Sequence, residues 1–432
     1  MATIKIDLNK KIKAMKPLHG GGQPPLGGKG FNEFFHYLTE AGIPYSRLHD
    51  VGGAFASNRF VDIPNIFRNF DADENDAANY DFTFTDFLIK SLFDAGVKPY
   101  FRLGITIENQ SYIKTYHTDP PKDYDKWARI CEHIVAHYID GWADGFHYDI
   151  EYWEIWNEPD NAMKGRPSEM WSSTPEDYYR LYDVAAKHLK ARFADRIKIG
   201  GYASCGFYYI TATDEKRAKY PDYKYYLDFF DGFMKYLKAN NSPIDFFSWH
   251  SYKDAKTTLI WDKWLHAELE RYGFAGLETH MNEWDPYSGE YGTAHHSAEI
   301  AAMIIGMQHG HTDLLCIYDM RNNNVPYCPL FDVKTKKPIH GYYSLVAFNA
   351  LYRLGTQVET VCDSEDLYVL AASNGKKNAI LISNLSSACQ KLEFEGVDLS
   401  DARFYVIDQE RLLSWSPAVK ELAPNDVALI EW

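Results

Sequence analysis

The feature of this sequence that most constrains its fold is a regular alternation of strand-like and helix-like segments between residues 14 and 353. The strand-like runs are apolar along most of their length, as expected for parallel strands that are covered on both faces. Eight strands, each followed by a helix, predict an α/β protein with a (β/α)₈ TIM barrel over residues 14–353. The predicted strands are 14–19, 44–48, 98–104, 150–156, 197–202, 244–249, 277–283 and 313–318.

Amphipathic stretches of helical period fill the intervals between these strands. The predicted helices are 30–41, 83–95, 124–140, 174–192, 225–238, 259–272, 293–308 and 339–353.

The pattern changes after Gly355, where short alternating strands with polar turns replace the long helices. Short alternating strands separated by polar turns are typical of a small β-sandwich. We predict an accessory β-sandwich domain formed by residues 354–432 together with residues 1–13, whose strand Thr3–Leu8 joins it.

Charge, hydropathy and cysteine content exclude several classes of protein. The formal net charge of −15 argues against nucleic acid as a partner, because neutralising phosphates requires clustered Lys and Arg. No run approaches 18 uninterrupted apolar residues, so we expect no membrane span. Six scattered cysteines fit reduced thiols, and residues 1–16 contain no signal-like apolar core, so we expect a cytoplasmic protein. A secreted or periplasmic protein whose signal peptide has been removed is the alternative, and the oligomeric state stays open.

Two aromatic-rich segments, 153–160 and 278–286, each contain an Asn-Glu pair at the end of a predicted strand. In a barrel of this kind the chemistry lies at the carboxyl ends of the strands. Cleavage of a glycosidic bond requires two carboxyl groups, one to protonate the leaving oxygen and one to attack or to activate water. Glu158 and Glu283 are therefore the candidate catalytic pair.

Other predicted strands also end in polar or aromatic residues, where a purely structural barrel would have turn residues. The first strand runs into His19 and three glycines, and the second into Arg47, His49 and Asp50. The sixth ends at His250 and Tyr252, and the eighth at Tyr318 and Asp319. An aromatic content of 16% is consistent with sugar stacking and equally with a large core.

Because of these residues at the strand ends, the chain resembles glycoside hydrolase family 39, the β-xylosidase-like retaining glycosidases of clan A. The resemblance covers nearly the whole chain, and it implies hydrolysis of plant-type oligosaccharides or glycosides through a covalent glycosyl-enzyme. It implies that Glu158 is the acid/base, that Glu283 is the nucleophile, and that Asn157 binds the sugar 2-hydroxyl near Tyr252. The predicted substrate-binding residues are Arg47, His49, Asn157, His250, Tyr252, Trp284 and Tyr318.

The predicted roles have a physical basis. A retaining site holds its carboxyl groups about 5–5.5 Å apart. Two anions at that distance repel, so one pKa is raised and the acid stays protonated near neutral pH. We expect Arg47 to lower the pKa of Glu283 and to keep it ionised.

The sequence departs from the family where specificity is determined. Asn282 stands where xylosidases usually carry Thr before the nucleophile, Arg102 stands where a sugar-recognising Glu is usual, and Tyr318-Asp319 replaces a Trp. A buried Arg102 would favour an acidic or heavily hydroxylated partner, unless it bridges Glu108. A xyloside, an arabinoside, a glucoside or galactoside and a uronide all remain open, as does exo or endo action.

Two other classes of function remain as alternatives. A non-catalytic carbohydrate-binding barrel would keep the aromatic residues and lose one carboxylate. A barrel isomerase or aldolase would require a Schiff-base lysine, a phosphate loop or a metal cluster. We expect no cofactor and no metal ion, because the acidic run 71–75 lacks the Gly and Glu of a calcium loop.

Overall fold

The computed structural model of the protein describes residues 1–51, 61–106, 119–161, 170–286, 289–322 and 327–432. Eight parallel strands close into a barrel, because the first of them pairs with both the second and the last. The predicted (β/α)₈ barrel is therefore confirmed. After β1 (Ala2–Ala14), which lies outside the barrel, the barrel strands are β2 (Gly20–Gly22), β3 (Tyr45–Leu48), β4 (Lys98–Leu103), β5 (Tyr152–Ile155), β6 (Lys198–Ser204), β7 (Phe246–Ser251), β8 (Glu278–Trp284) and β9 (Leu314–Ile317).

The helices that surround the barrel begin at polar caps which the sequence supplies. Asp123, Thr174, Asp254 and Thr293 each accept a hydrogen bond from a backbone N–H of the first turn that follows. The helices are α1 (His36–Ala41), α2 (Ile63–Ile66), α3 (Thr83–Asp94), α4 (Tyr124–Ile139), α5 (Pro175–Phe193), α6 (Tyr208–Thr211), α7 (Asp214–Lys219), α8 (Tyr223–Asn240), α9 (Ala255–Tyr272), α10 (Ala294–His309) and α11 (His340–Tyr352), with 3₁₀ turns at Glu33–Phe35, Ala77–Asn79, Trp142–Asp144 and Ala194–Arg196.

The first barrel strand lies later in the chain than the sequence predicts. The predicted strand is 14–19, yet the observed strand is Gly20–Gly22, and His19 precedes it. The glycines are required because the neighbouring strand is close: a Cβ on Gly20 would lie 2.6 Å from the carbonyl oxygen of Leu315. His19 is therefore outside the mouth of the barrel, fully buried, with its Nε2 2.9 Å from the carbonyl oxygen of Gly42.

The accessory β domain is also confirmed, and it consists of one continuous, curled sheet of nine strands rather than two separate sheets. Strand β1 pairs antiparallel with β10 and parallel with β13, so both ends of the chain build this sheet. Its inner face encloses a core separate from that of the barrel. The remaining strands are β10 (Thr356–Cys362), β11 (Leu367–Ser373), β12 (Asn378–Asn384), β13 (Gln390–Glu395), β14 (Arg403–Ile407), β15 (Ser414–Ser416), β16 (Glu421–Leu422) and β17 (Val427–Glu431).

The sheet packs on the outer helices of the barrel, with β12 against α10 and α11. Ser383 on β12 donates to the carbonyl oxygen of Ala298 on α10 over 2.7 Å, and a ring nitrogen of His309 lies 2.9 Å from the carbonyl oxygen of Val369. All six cysteines are free thiols. Among the described helices, none combines the length and the apolar character that crossing a bilayer requires.

Candidate active site

The candidate site lies at the carboxyl ends of the barrel strands, where parallel strands of a barrel converge. Arg47 comes from β3, Asn157 and Glu158 follow β5, His250 and Tyr252 lie at the end of β7, and Glu283 lies on β8. All of these side chains are buried except that of Tyr252, which is half-buried.

The pairing of β8 with its neighbours explains how its last residues face the barrel interior. The register shifts between Trp249 and His250 in β7, and between Met281 and Trp284 in β8. Such bulges re-aim side chains. Asn282 and Glu283 are consecutive, yet both make contacts inside the barrel.

Arg47 is the centre of the buried hydrogen-bond network. Its guanidinium lies 2.7 Å from Glu154 and 3.1 Å from Glu283, and it donates to Asn157 Oδ1 over 2.6 Å. A planar guanidinium with several fixed donors suits this geometry better than an ammonium does. Arg47 therefore holds the predicted nucleophile and the predicted sugar-binding amide in one arrangement.

Glu154 is a member of this network that the sequence reasoning missed. Its carboxylate is fully buried and accepts hydrogen bonds from Arg47, from Asn282 Nδ2 over 2.6 Å and from Ser248 Oγ over 2.6 Å. The available signal was a charged residue inside an otherwise apolar strand, since an acid there needs a buried partner.

Glu158 sits on an irregular turn directly after β5. Its backbone has a φ of +43°, and its N–H donates to the carbonyl oxygen of Ala203 on β6 over 3.1 Å. Its Oε1 lies 2.7 Å from His250 Nδ1, and its Oε2 accepts from Asn161 Nδ2 over 3.0 Å. The Glu158 side chain is 10% exposed, so it is buried but not sealed from solvent.

Glu283 faces Glu158 across the same space. An oxygen of Glu283 and an oxygen of Glu158 lie within 4.8 Å of each other. Glu283 also accepts hydrogen bonds from Arg47 and from the Tyr252 hydroxyl, which donates to Oε1 over 2.5 Å. The structure thus brings together the two carboxylates that the sequence predicts as a pair.

The net pKa shift of Glu283 is opposite to the expected one. Burial is the largest influence and raises its pKa, and the charge of Glu158 acts in the same direction. His250, Arg47 and the Tyr252 hydroxyl oppose this rise. The expectation that Arg47 leaves Glu283 with a lowered pKa is therefore wrong in its net result, although Arg47 acts in the expected direction.

His250 lies between the two glutamates. Its Nδ1 faces Glu158, and its Nε2 is 3.8 Å from Glu283 Oε2. Complete burial lowers the pKa of His250 to about 4, so the ring is neutral near neutral pH.

A second group of residues lies beside this pair. The Tyr318 hydroxyl donates to Asp50, and His49 Nε2 is 3.2 Å from the other oxygen of Asp50. The ring of Tyr252 packs edge-on to that of Tyr318, with 6.3 Å between ring centroids, and is 5.8 Å from that of Tyr327. His49 and Tyr318 are therefore brought close to the pair, whereas Tyr327 was missed because it follows no predicted strand.

Arg102 does not offer an unpaired charge to a ligand. Its guanidinium donates to Asp62 over 2.6 Å and to the carbonyl oxygen of His49 over 2.9 Å, and both side chains of the ion pair are fully buried. The alternative partner, Glu108, lies outside the described residues. Asp62 balances the charge of Arg102, so this charge gives no support for an acidic substrate, and an acidic or heavily hydroxylated partner stays a prediction.

Asn157 and Trp284, two of the predicted substrate-binding residues, differ in their surroundings. Asn157 uses its Oδ1 for Arg47, and its Nδ2 has no hydrogen-bond partner among the described residues. Trp284 is fully buried within the main core, so its predicted place beside the sugar stays a prediction.

The described residues contain one group of His, Cys, Asp and Glu side chains close enough together to hold a metal ion, and it is Glu158, His250 and Glu283. The Arg47 guanidinium, 3.1 Å from Glu283, already supplies positive charge there.

The sequence matches a known protein family and characterised enzymes. The model of the family "Glycosyl hydrolases family 39" matches residues 39–358, most of the chain. A β-xylosidase from Caldicellulosiruptor saccharolyticus is 24% identical over 401 residues, covering 83% of this chain and 72% of that enzyme. A β-xylosidase from Geobacillus stearothermophilus is 24% identical over 214 residues, covering 48% of this chain and only 37% of that enzyme.

Two crystal structures share the whole architecture. A glucosidase from Croceicoccus marinus has a TM-score of 0.78 at 19% identity, covering 100% of this chain and 98% of its own. A monomeric β-xylosidase from Caulobacter crescentus has a TM-score of 0.70 at 17% identity, covering 99% of each chain. At these identities the likeness concerns the fold.

Proposed function

The chain belongs to glycosyl hydrolases family 39 and is a glycoside hydrolase, and on that premise we propose that it is a retaining, β-xylosidase-like O-glycosidase. Glu158 is the general acid/base and Glu283 is the nucleophile. The β-xylosidases among its relatives support a xyloside as the first substrate to test.

One observation carries the proposal: one carboxylate oxygen of Glu158 and one of Glu283 lie within 4.8 Å of each other. Retaining enzymes hold these groups about 5–5.5 Å apart, whereas inverting enzymes need about 6.5–9.5 Å to admit a water molecule. The short separation favours direct attack by Glu283 on the anomeric carbon.

In the first step Glu158 donates its proton to the leaving oxygen while Glu283 attacks, which gives a covalent ester and releases the aglycone. Arg47 and Tyr252, each bonded to Glu283, orient its oxygens for attack. Once the ester has formed, Glu283 carries no charge, so its repulsion no longer favours the protonated form of Glu158. Glu158 then takes a proton from the water that cleaves the ester.

Asn157 is suited to bind the sugar. Its Oδ1 is fixed by Arg47 over 2.6 Å, so its Nδ2 is the group left to donate. A donor held beside the nucleophile can strengthen its bond to the 2-hydroxyl in the transition state, where such bonds contribute several kcal/mol.

The charges around the site support a neutral glycone. Three described arginines lie at the mouth, and each has a carboxylate partner: Arg47 has Glu154, Arg102 has Asp62, and Arg321 has Asp319. Among the residues that the structure describes, no guanidinium there remains to pair with a uronate. A neutral pentoside or hexoside is therefore favoured over a uronide.

The test uses 4-nitrophenyl glycosides: β-xyloside, α-arabinoside, β-glucoside, β-galactoside and β-glucuronide, with and without EDTA. We expect hydrolysis of a neutral glycoside at the same rate with chelator, and NMR should first show product of the substrate's own anomeric configuration. Binding without hydrolysis would favour the carbohydrate-binding barrel, and loss of activity with EDTA would contradict the metal-free assignment.

A further inference from the structure

Asp160, two residues after Glu158, is a fully buried carboxylate without a cationic partner among the described residues. Its oxygens accept hydrogen bonds from Ser204 Oγ over 2.8 Å and from the Cys205 N–H over 3.1 Å. Burying a charge that no cation balances is unfavourable. Its presence beside the acid/base therefore calls for a reason beyond packing.

The turn that carries Glu158 has little regular structure to hold it. Strand β5 ends at Ile155, and the next described residues include two with left-handed backbone, Trp156 (φ +73°) and Glu158 (φ +43°). Such conformations are unfavourable for residues with a side chain, and they persist only where the surroundings enforce them.

Two contacts tie this turn to the end of β6. One is the hydrogen bond from the Glu158 N–H to the carbonyl oxygen of Ala203, over 3.1 Å. The other is made by the carboxylate of Asp160, which accepts hydrogen bonds from the Ser204 hydroxyl and the Cys205 N–H, directly after Ala203 in the chain. The backbone of Glu158 is thus held between these bonds.

We propose that Asp160 is a positioning residue that fixes the Glu158 turn against the end of β6 and thereby aims the acid/base carboxyl at the glycosidic oxygen. The inference rests on the proposed function, since it assigns Asp160 a role only through Glu158. Asp160 touches no reacting atom.

The electrostatic surroundings agree with the geometry. Burial, followed by the charge of Glu158, raises the pKa of Asp160 to about 7. Burial and the charges of Asp160 and Glu158 raise the pKa of the Cys205 thiol, which therefore stays protonated. The other titratable groups that face Asp160 are tyrosines of α5, β6 and α8: Tyr178, Tyr179, Tyr202, Tyr225 and Tyr226.

The test is Asp160→Asn, assayed on aryl glycosides of the glycone that the wild type hydrolyses fastest. A general acid contributes about 10²–10⁴-fold, so partial misplacement should lower kcat/KM by about 10- to 100-fold on poor leaving groups. Inactivation by a 2-deoxy-2-fluoro glycoside with a dinitrophenyl leaving group needs no acid, so its rate should change by less than about 3-fold. The basic limb of the pH profile of kcat/KM should move to lower pH. The reason is that the substitution removes the negative charge of Asp160, which favours the protonated form of Glu158.

Asp262→Asn is the matched control. Asp262 is also buried and accepts from a backbone N–H and a hydroxyl, those of Thr312, but it lies near the amino end of β9, at the opposite end of the barrel. We expect it to lower kcat/KM equally for every leaving group. Ser204→Ala removes one donor to Asp160 and should show a weaker form of the same leaving-group dependence if Asp160→Asn does not fold.

Equal losses for all leaving groups in Asp160→Asn and Ser204→Ala, with an unchanged basic limb, would overturn the positioning role. Failure of the wild type to hydrolyse any glycoside would instead contradict the proposed function, so the two failures are distinguishable.

Discussion

Glu158 and Glu283 lie on opposite sides of the barrel mouth, with β6 and β7 between their strands, and their carboxylate oxygens come within 4.8 Å of each other. At that separation the protonation of each group depends on the charge of the other. The division of roles between them can therefore be tested one residue at a time.

Glu158→Gln should remove proton donation and leave the nucleophile intact. We expect a loss of about 10²–10⁴-fold on substrates with poor leaving groups and a much smaller loss on activated aryl glycosides. Steady-state kinetics over a series of aryl leaving groups measures this difference, and added azide should partly restore turnover by replacing the water that Glu158 activates.

Glu278→Gln provides the comparison, because Glu278 begins β8 and pairs with Lys198 at the opposite end of the barrel. Its effect should not depend on the leaving group. If Glu158→Gln lost the same factor on every substrate, Glu158 would not be the acid.

Tyr252→Phe should shift the acidic limb of the pH–rate profile. The Tyr252 hydroxyl donates to Glu283 over 2.5 Å and lowers the pKa of that carboxyl, so its removal raises the pKa of a group that must be ionised to attack. We expect kcat/KM near neutral pH to fall about 10- to 100-fold, since a hydrogen bond to a charged group contributes about 1.5–3 kcal/mol. The limb should move to higher pH.

Tyr138→Phe removes a comparable buried hydroxyl, which donates to Asp86 over 2.9 Å from α4. It should leave the acidic limb in place. An unchanged limb in Tyr252→Phe would show that Tyr252 does not tune Glu283.

Most of the fold is predictable from the sequence because its signals are local. The helices follow their caps and period, so the predicted stretch 124–140 differs from the observed Tyr124–Ile139 by a single residue. The first barrel strand is not predictable in this way. Gly20–Gly22 has no strand propensity. It is a strand because it pairs with β3 and β9, and the backbone of β9 leaves no room for a side chain at Gly20.

The candidate site also has a part that the sequence predicts and a part that it does not. Arg47 and Glu283 lie at the ends of strand-like runs and Glu158 lies just after one, and the barrel topology alone brings such ends together. Partners within the core require three-dimensional information. Arg102 pairs with Asp62 and Arg47 with Glu154, and no sequence spacing reveals either pair. The net pKa shift of Glu283 was mispredicted because burial outweighs Arg47.

Arg47→Lys should destabilise the protein although it keeps the charge. An ammonium cannot reproduce the bonds from one guanidinium to Glu154, Glu283 and Asn157. We expect the free energy of unfolding to fall by about 2–4 kcal/mol, because a charged hydrogen bond contributes about 1.5–3 kcal/mol. Urea unfolding measures this change, and Arg68→Lys, in an exposed pair with Asp81, should change it by less than about 1 kcal/mol. Equal effects would contradict the central place of Arg47 in the network.

His19 should make stability depend on pH. Burial lowers its pKa from 6.5 to about 4, so the unfolded chain takes up the proton first, and stability falls as pH falls from about 6.5 toward 4. Between pH 7 and pH 5 the contribution is about 2 kcal/mol, at about 1.4 kcal/mol per pH unit. His19→Gln should lose that much less stability over this range than the wild type. Identical pH dependence in His19→Gln and wild type would contradict this expectation.

The most direct test of the two-glutamate mechanism is to trap the glycosyl-enzyme. The protein is incubated with a 2-deoxy-2-fluoro glycoside of the preferred glycone, digested, and sequenced by mass spectrometry to find the modified residue. The mechanism predicts one sugar per chain, attached to Glu283 within the peptide from β8, and no label in Glu283→Gln. Label on any other carboxylate, or product of inverted configuration from the wild type, would contradict it.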